Sequence, residues 1–142
     1  MAEIRHSIQT AAKRETIYTL VATARGFAKW WATDVTESPG VVELGFFNRA
    51  TVYRLRLESG TPPTQVEWVC ETGDEWKGTR IVFSLEEGRP GTLIRFTHAG
   101  WATESDYFVS CNTTWGELMF RLKAVAEGKS ARPLFRVADM AY

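Results

Sequence analysis

"YFVSCNTTWGELMFRLKAVAEG", Tyr107 to Gly128, is the stretch on which the fold turns. Phe108, Cys111, Trp115, Leu118, Leu122 and Val125 recur at steps of three and four, which gathers them into one apolar stripe of a helix. Glu104, Glu117, Arg121, Lys123 and Glu127 take the opposite face. Thr103, with Asp106 three positions on, predicts a capped start, and Gly128 is well placed to end the helix. About 24 residues at 1.5 Å each span roughly 36 Å, enough to cross a sheet from edge to edge.

Upstream of that helix the apolar period is two. Val42, Leu44 and Phe46 alternate, as do Tyr53, Leu55 and Leu57, then Val66, Trp68 and Cys70. Ile81, Phe83 and Leu85 follow, and Ile94, Phe96 and His98 share the last predicted inward face. The stretches around Asn48, SGTPPT, GDEWKG and EEGRPG separate these runs as turns or breaks. Glu3 to Thr10 is a further strand, with Ile4, His6 and Ile8 on one side, and Thr10 is a plausible cap for the helix after it. That helix, AAKRETIYTLVAT, is interrupted at Arg25–Gly26 before a second short piece, FAKWWA. Thr33 to Gly40 reads as a loop.

About six antiparallel strands, two short helices after the first, and one long C-terminal helix make an α+β chain. A single open sheet with one long helix to cover it implies a helix-grip arrangement, the sheet curling around the helix. No linker or repeat divides the 142 residues, so one domain is expected over 1–142, with 129–142 as a tail. That tail contains Pro133, Leu134, Phe135 and Val137, and packing, a dimer contact or loose order are all open to it.

"IYTLVATARGFAKWWA" with its Trp30–Trp31 pair, "IRFTHAGW", and the long helix carry a resemblance to a known family. The chain resembles the START-like (SRPBCC) helix-grip superfamily and, within it, the group named after the C-terminal domain of the heat-shock-protein ATPase activator. The three blocks lie toward both ends of the chain; the middle matches in strand pattern alone. The resemblance implies the fold. Such proteins include small-molecule carriers, polyketide cyclases and chaperone cofactors, so function does not transfer with it.

Composition narrows the classes. Lys+Arg and Asp+Glu both number 17, which removes any global charge argument for nucleic-acid binding. No apolar run approaches the roughly 20 residues of a membrane span, and the start lacks a signal-peptide core, so no membrane insertion and a cytoplasmic location are expected. Cys70 and Cys111 are the only cysteines and there is no CxxC, so neither a metal nor a cofactor is expected.

Eighteen aromatic residues, six of them Trp, suit either a filled core or an apolar pocket. The expected pocket lining from the sheet is Tyr53, Trp68, Phe83, Phe96 and His98. The long helix adds Phe108, Cys111, Asn112 and Trp115. Trp31, about 100° around its helix from Trp30, completes the set, with one of the two in the core and the other at a rim. His98 has three roles open to it, in descending order: a structural corner, a ligand contact, an acid–base catalyst. No Ser-His-Asp or Cys-His motif accompanies it, and a catalytic histidine needs an orienting partner. Cys111 reads as a small hydrophobe. Arg54 and Arg56 read as an exposed rib, and Glu86–Glu87 and Asp74–Glu75 as solvated turns.

The leading expectation is a non-catalytic domain binding a small hydrophobic or aromatic molecule, as monomer or homodimer. A protein-interaction module resembling the chaperone activator is second, and a cyclase-like enzyme third.

Overall fold

Alternating apolar residues build one curved antiparallel sheet, and the long helix lies along its apolar face. The computed structural model describes residues 2–136. β1 (Ala2–Thr10) leads to α1 (Arg14–Val21) and α2 (Ala24–Trp30). β2 (Asp34–Ser38), β3 (Val41–Phe46), β4 (Thr51–Thr61), β5 (Gln65–Cys70), β6 (Arg80–Glu87) and β7 (Thr92–Trp101) follow, then α3 (Asp106–Ala126). The strand order is β1-β7-β6-β5-β4-β3-β2, so the chain's first strand closes onto its last. Ile4 stands opposite His98 and His6 opposite Phe96 in that pairing, which sets the two histidines two positions apart along the strands.

The α+β helix-grip architecture is as expected, with one strand more. β2 has the sequence DVTES, with no alternating apolar face. It needs none, because it is an edge strand whose residues stay half-buried or exposed. Pairing with β3 and the bond from Arg49 to Asp34 hold it. β4 runs on through Ser59–Thr61, so the break after it is confined to Pro62, Pro63 and Thr64.

The helix starts also differ from expectation. Thr10 ends β1 rather than capping a helix, and its hydroxyl donates to Glu127 at the far end of α3 (2.8 Å). Thr23 caps α2 by accepting from the Gly26 N–H, so the helical break lies at Ala22–Thr23 and Gly26 is inside α2. Gly26 is needed there for closeness: a Cβ on it would stand 2.3 Å from the Thr19 carbonyl oxygen of α1. Ser105, not Thr103, caps α3, accepting from the Phe108 N–H. The helix is therefore 21 residues, about 32 Å.

The last carbonyls of a helix lack partners within it. In α1 two of them are taken by tryptophans: Trp30 donates to Leu20 O (2.9 Å) and Trp68 to Val21 O (3.0 Å). Both indoles are thus satisfied while fully enclosed, which lets large aromatic rings sit in the core at no polar cost. Trp30 and Trp31 are both buried, at 0% and 1% exposure, so the expected rim position for one of them is not found. Their rings stack 5.8 Å apart over Phe27, which meets each edge-on.

The start of the tail docks. Phe135 exchanges backbone bonds with Trp31 and Thr33 (2.9 Å each), and its ring meets Phe46 edge-on at 4.9 Å. Val137 lies outside the described residues.

Candidate functional site

An apolar pocket opens where α3 crosses the β3–β4 side of the sheet. Alternation points Phe46 and Tyr53 inward from β3 and β4. Helical spacing aims Cys111, Trp115 and Leu118 at them from α3. Trp31, Phe47, Trp76 and Phe135 complete the wall, and Thr51, Tyr107, Ser110 and Thr114 ring the mouth. The pocket volume is about 280 Å³.

One wall residue, Trp76, comes from a turn. The segment GDEWKG was expected only to reverse the chain, yet Trp76 is 4% exposed. Its indole stacks on Tyr53 at 3.8 Å, with the rings 6° from parallel. Gly73, at φ +98, permits this: a Cβ there would meet the Tyr53 ring at 2.6 Å. A large aromatic inside a glycine-flanked turn was the available signal, because solvent-exposed turns seldom carry tryptophan.

Of the expected lining, the structure brings Trp31, Tyr53, Cys111 and Trp115 together at this pocket. Trp68, Phe83 and Phe96 are core residues away from it. Trp68 is committed to α1, and Phe83 and Phe96 face each other across β6 and β7 at 5.3 Å. Phe108 packs edge-on against Trp101 (5.2 Å). Asn112 is exposed, one helical step beyond Cys111 and so off the inward stripe. These residues share the inward face of the pattern, or border it, without sharing the void.

His98 is also outside the pocket wall, and its bonds say why. It is fully buried. The Trp115 indole N–H donates to its Nδ1 (3.1 Å), which requires the ring proton on Nε2. Nε2–H then donates to the Thr79 hydroxyl (2.8 Å), which donates to the Trp76 carbonyl (2.5 Å). Both ring nitrogens are occupied by protein. Burial alone pushes the His98 pKa down to about 3, so the ring is neutral at physiological pH. This chain ties α3, the sheet and the Trp76 turn together, with no atom of the imidazole left for a ligand or a proton transfer.

Among the described residues the pocket wall carries no charged side chain. The Tyr53 and Tyr107 hydroxyls bond to each other, and burial first, then that bond, raises the Tyr53 pKa far above its ordinary value. Burial likewise raises Cys111, so its thiol stays protonated and a poor nucleophile at neutral pH. The arrangement can hold an apolar body; it offers neither a general base nor an activated nucleophile.

Charges elsewhere neutralise one another on the outer face. Glu71 accepts from Arg54 and Arg56, and Arg80 pairs with Glu58 and Glu67. The rib is self-compensated. Among the described residues no group of three His, Cys, Asp or Glu is placed to hold a metal, and no helix is long and apolar enough to cross a membrane.

No family model matches the chain, and no curated protein does. Solved structures do. A dimeric Aha1 protein from Colwellia psychrerythraea is 30% identical, covering 89% of this chain and 97% of its own, with a TM-score of 0.80. An AHSA1-like protein from Rhizobium etli is 21% identical over 93% of this chain and 86% of its own, at TM-score 0.70. Another from Aeromonas hydrophila is 11% identical over 89% and 93%, at 0.68; these two show the fold alone. With nearly whole-length coverage at 30% identity and a TM-score of 0.80, the chain belongs to the Aha1-like family of START-like helix-grip proteins.

Proposed function

We propose that this protein is a non-catalytic binding domain whose pocket takes a compact apolar or aromatic molecule. The observation that carries the reading is the wall: Trp31, Phe46, Tyr53, Trp76, Trp115 and Leu118 enclose about 280 Å³ with no charged group among them. An apolar cavity of about 150 Å³ admits benzene, so this one suits a bicyclic ring. Burial of the ligand's apolar surface, at about 25 cal/mol per Å² before binding costs, supplies the drive. Stacking against the indole walls fixes the plane of the ring. The saturated bonding of His98 argues against the cyclase-like alternative, since that histidine was its one ready catalyst.

Naphthalene tests this directly. Its titration should move the indole N–H resonances of Trp31, Trp76 and Trp115 saturably, leaving Trp30 and Trp68 in place. Ser110→Trp adds bulk at the exposed mouth without touching the core and should reduce affinity at least about tenfold. Unchanged affinity in that variant, or shifts confined to other residues, would refute the site.

Association through the outer face of α3 is a second reading, favoured by two exposed apolar side chains. Val109 and Phe120 are 56% and 65% exposed; eleven residues apart, they return to within about 20° of one another around the helix. The Colwellia relative is a dimer.

A further inference from the structure

The pocket wall holds one polar group that the protein leaves unsatisfied. Trp76 Nε1–H is buried and has no hydrogen-bond partner among the described residues. Trp30, Trp68 and Trp115 each have an acceptor for the same group, at 2.9, 3.0 and 3.1 Å. Trp101 Nε1 and His6 Nε2 are unpaired too, but neither residue lines the pocket. The Trp76 N–H leans toward the Cys111 sulfur closely enough to draw the thiol pKa down against its burial. It makes no bond of ordinary geometry there, and a thiol is a weak acceptor. An unmet buried donor of this kind has lost its bonds to water, and an incoming acceptor recovers part of that loss.

The charge around the site is one-sided. Among the described residues no Lys, Arg or His lines the wall, while the Glu75 carboxylate beside it already raises the Cys111 pKa. Glu75 is held next to the helix start by the Ser105 hydroxyl. A carboxylate ligand would lose its hydration, find no cation and face a like charge, all unfavourable. A neutral oxygen meets none of these costs.

We propose that the pocket selects uncharged aromatic molecules bearing a carbonyl-type oxygen, which accepts from Trp76 Nε1–H, and rejects the carboxylates of the same rings. Cys111 covers the donor, so its side chain turns aside as the oxygen arrives. The inference rests on the apolar-binding reading above and adds the ligand's chemistry to it.

Three probes of one skeleton separate the terms: 2-acetylnaphthalene, naphthalene and 2-naphthoate, measured by calorimetry and by NMR on the intact protein at neutral pH. The ketone should bind about three- to tenfold more tightly than naphthalene and at least about tenfold more tightly than naphthoate. Only the ketone should carry the Trp76 indole proton downfield. Cys111→Ala, which uncovers the donor, should raise the ratio of ketone to naphthalene affinity several-fold. Trp76→Phe, which keeps a ring without the N–H, should erase the ketone's advantage. Naphthoate binding within about twofold of the ketone, or a bound ketone that leaves the Trp76 proton unmoved, would overturn the selectivity and leave apolar binding standing. Failure of all three probes would overturn the apolar reading itself and this inference with it.

Discussion

Acidification is the perturbation that tests the buried histidine most sharply. The unfolded chain protonates His98 near its ordinary value of 6.5, whereas the folded protein resists until about 3. Between those values the unfolded state holds one proton more than the folded state, so stability falls as pH falls. The slope approaches about 1.4 kcal/mol per pH unit for one group once the unfolded histidine is fully charged, hence about 2 kcal/mol lost between pH 6.5 and about pH 4.5. That is a large part of the roughly 5–15 kcal/mol expected of a domain this size. The groups against the ring, Trp76, Thr79, Trp101 and Trp115, bear no charge that would stabilise an imidazolium. Urea denaturation across this range should give the slope directly. His98→Gln should be less stable at neutral pH by about 2–4 kcal/mol, because it disturbs bonds to Trp115 and Thr79 and loses ring packing. It should also be less pH-sensitive, lacking this histidine's share of the slope. NMR of the native protein gives an independent reading, with the His98 ring resonances flat from neutral pH to about pH 4.5. A native-state inflection at His98 near 6.5, or equal slopes for His98→Gln and the unsubstituted protein, would refute the neutral, doubly bonded ring.

Two other outcomes are expected. Lys123, then the Thr10 hydroxyl and the Ala11 N–H, hold the Glu127 pKa down at about 2. Its stabilising effect is therefore complete above the unfolded value of 4.5 and is lost as pH falls through about 2. Denaturation of Glu127→Gln should show a deficit at neutral pH that shrinks steadily below pH 4.5 and vanishes near 2; a deficit independent of pH would show that the carboxylate's charge is not what joins α3 to the end of β1. Separately, sedimentation of the unsubstituted protein should show self-association that Phe120→Ser weakens at least about tenfold, without change in unfolding temperature. A monomer at high concentration, or a dimer indifferent to Phe120, would exclude this face as a contact.

The period-two runs from Val42 to His98 and the three-four stripe from Phe108 to Leu122 were sufficient for the helix-grip architecture. Each run states locally which side of its backbone leaves water, and one sheet with one long amphipathic helix has few ways to satisfy both. β2 escaped that logic because an edge strand buries too little to need alternation. The expected caps at Thr10 and Thr103 gave way to Lys13 and Ser105, three and two residues on: the Thr10 hydroxyl is taken by Glu127 from the far end of α3, and at α3 it is the Ser105 hydroxyl that accepts from the Phe108 N–H.

Function-bearing detail was less legible. Inward-facing residues form one class in the sequence, so Trp68, Phe83, Phe96 and His98 stood beside Tyr53 and Trp115 as equals. Only the packed molecule separates those that fill the core from those that border a void, since that depends on volumes meeting across β4, α3, α2 and the chain near Phe135. Trp76 shows the same limit from the other side: its local pattern is a turn, and it enters the wall because Gly73 lets it lie flat on Tyr53. His98 is the remaining case. Its residue type promised acid–base chemistry; the bonds from Trp115 and to Thr79, brought together from α3 and the start of β6, hold it neutral and occupied. Periodicity along the chain thus determined which faces are buried, while three-dimensional packing decided which buried groups are satisfied, and it left the Trp76 N–H unsatisfied beside an uncharged pocket.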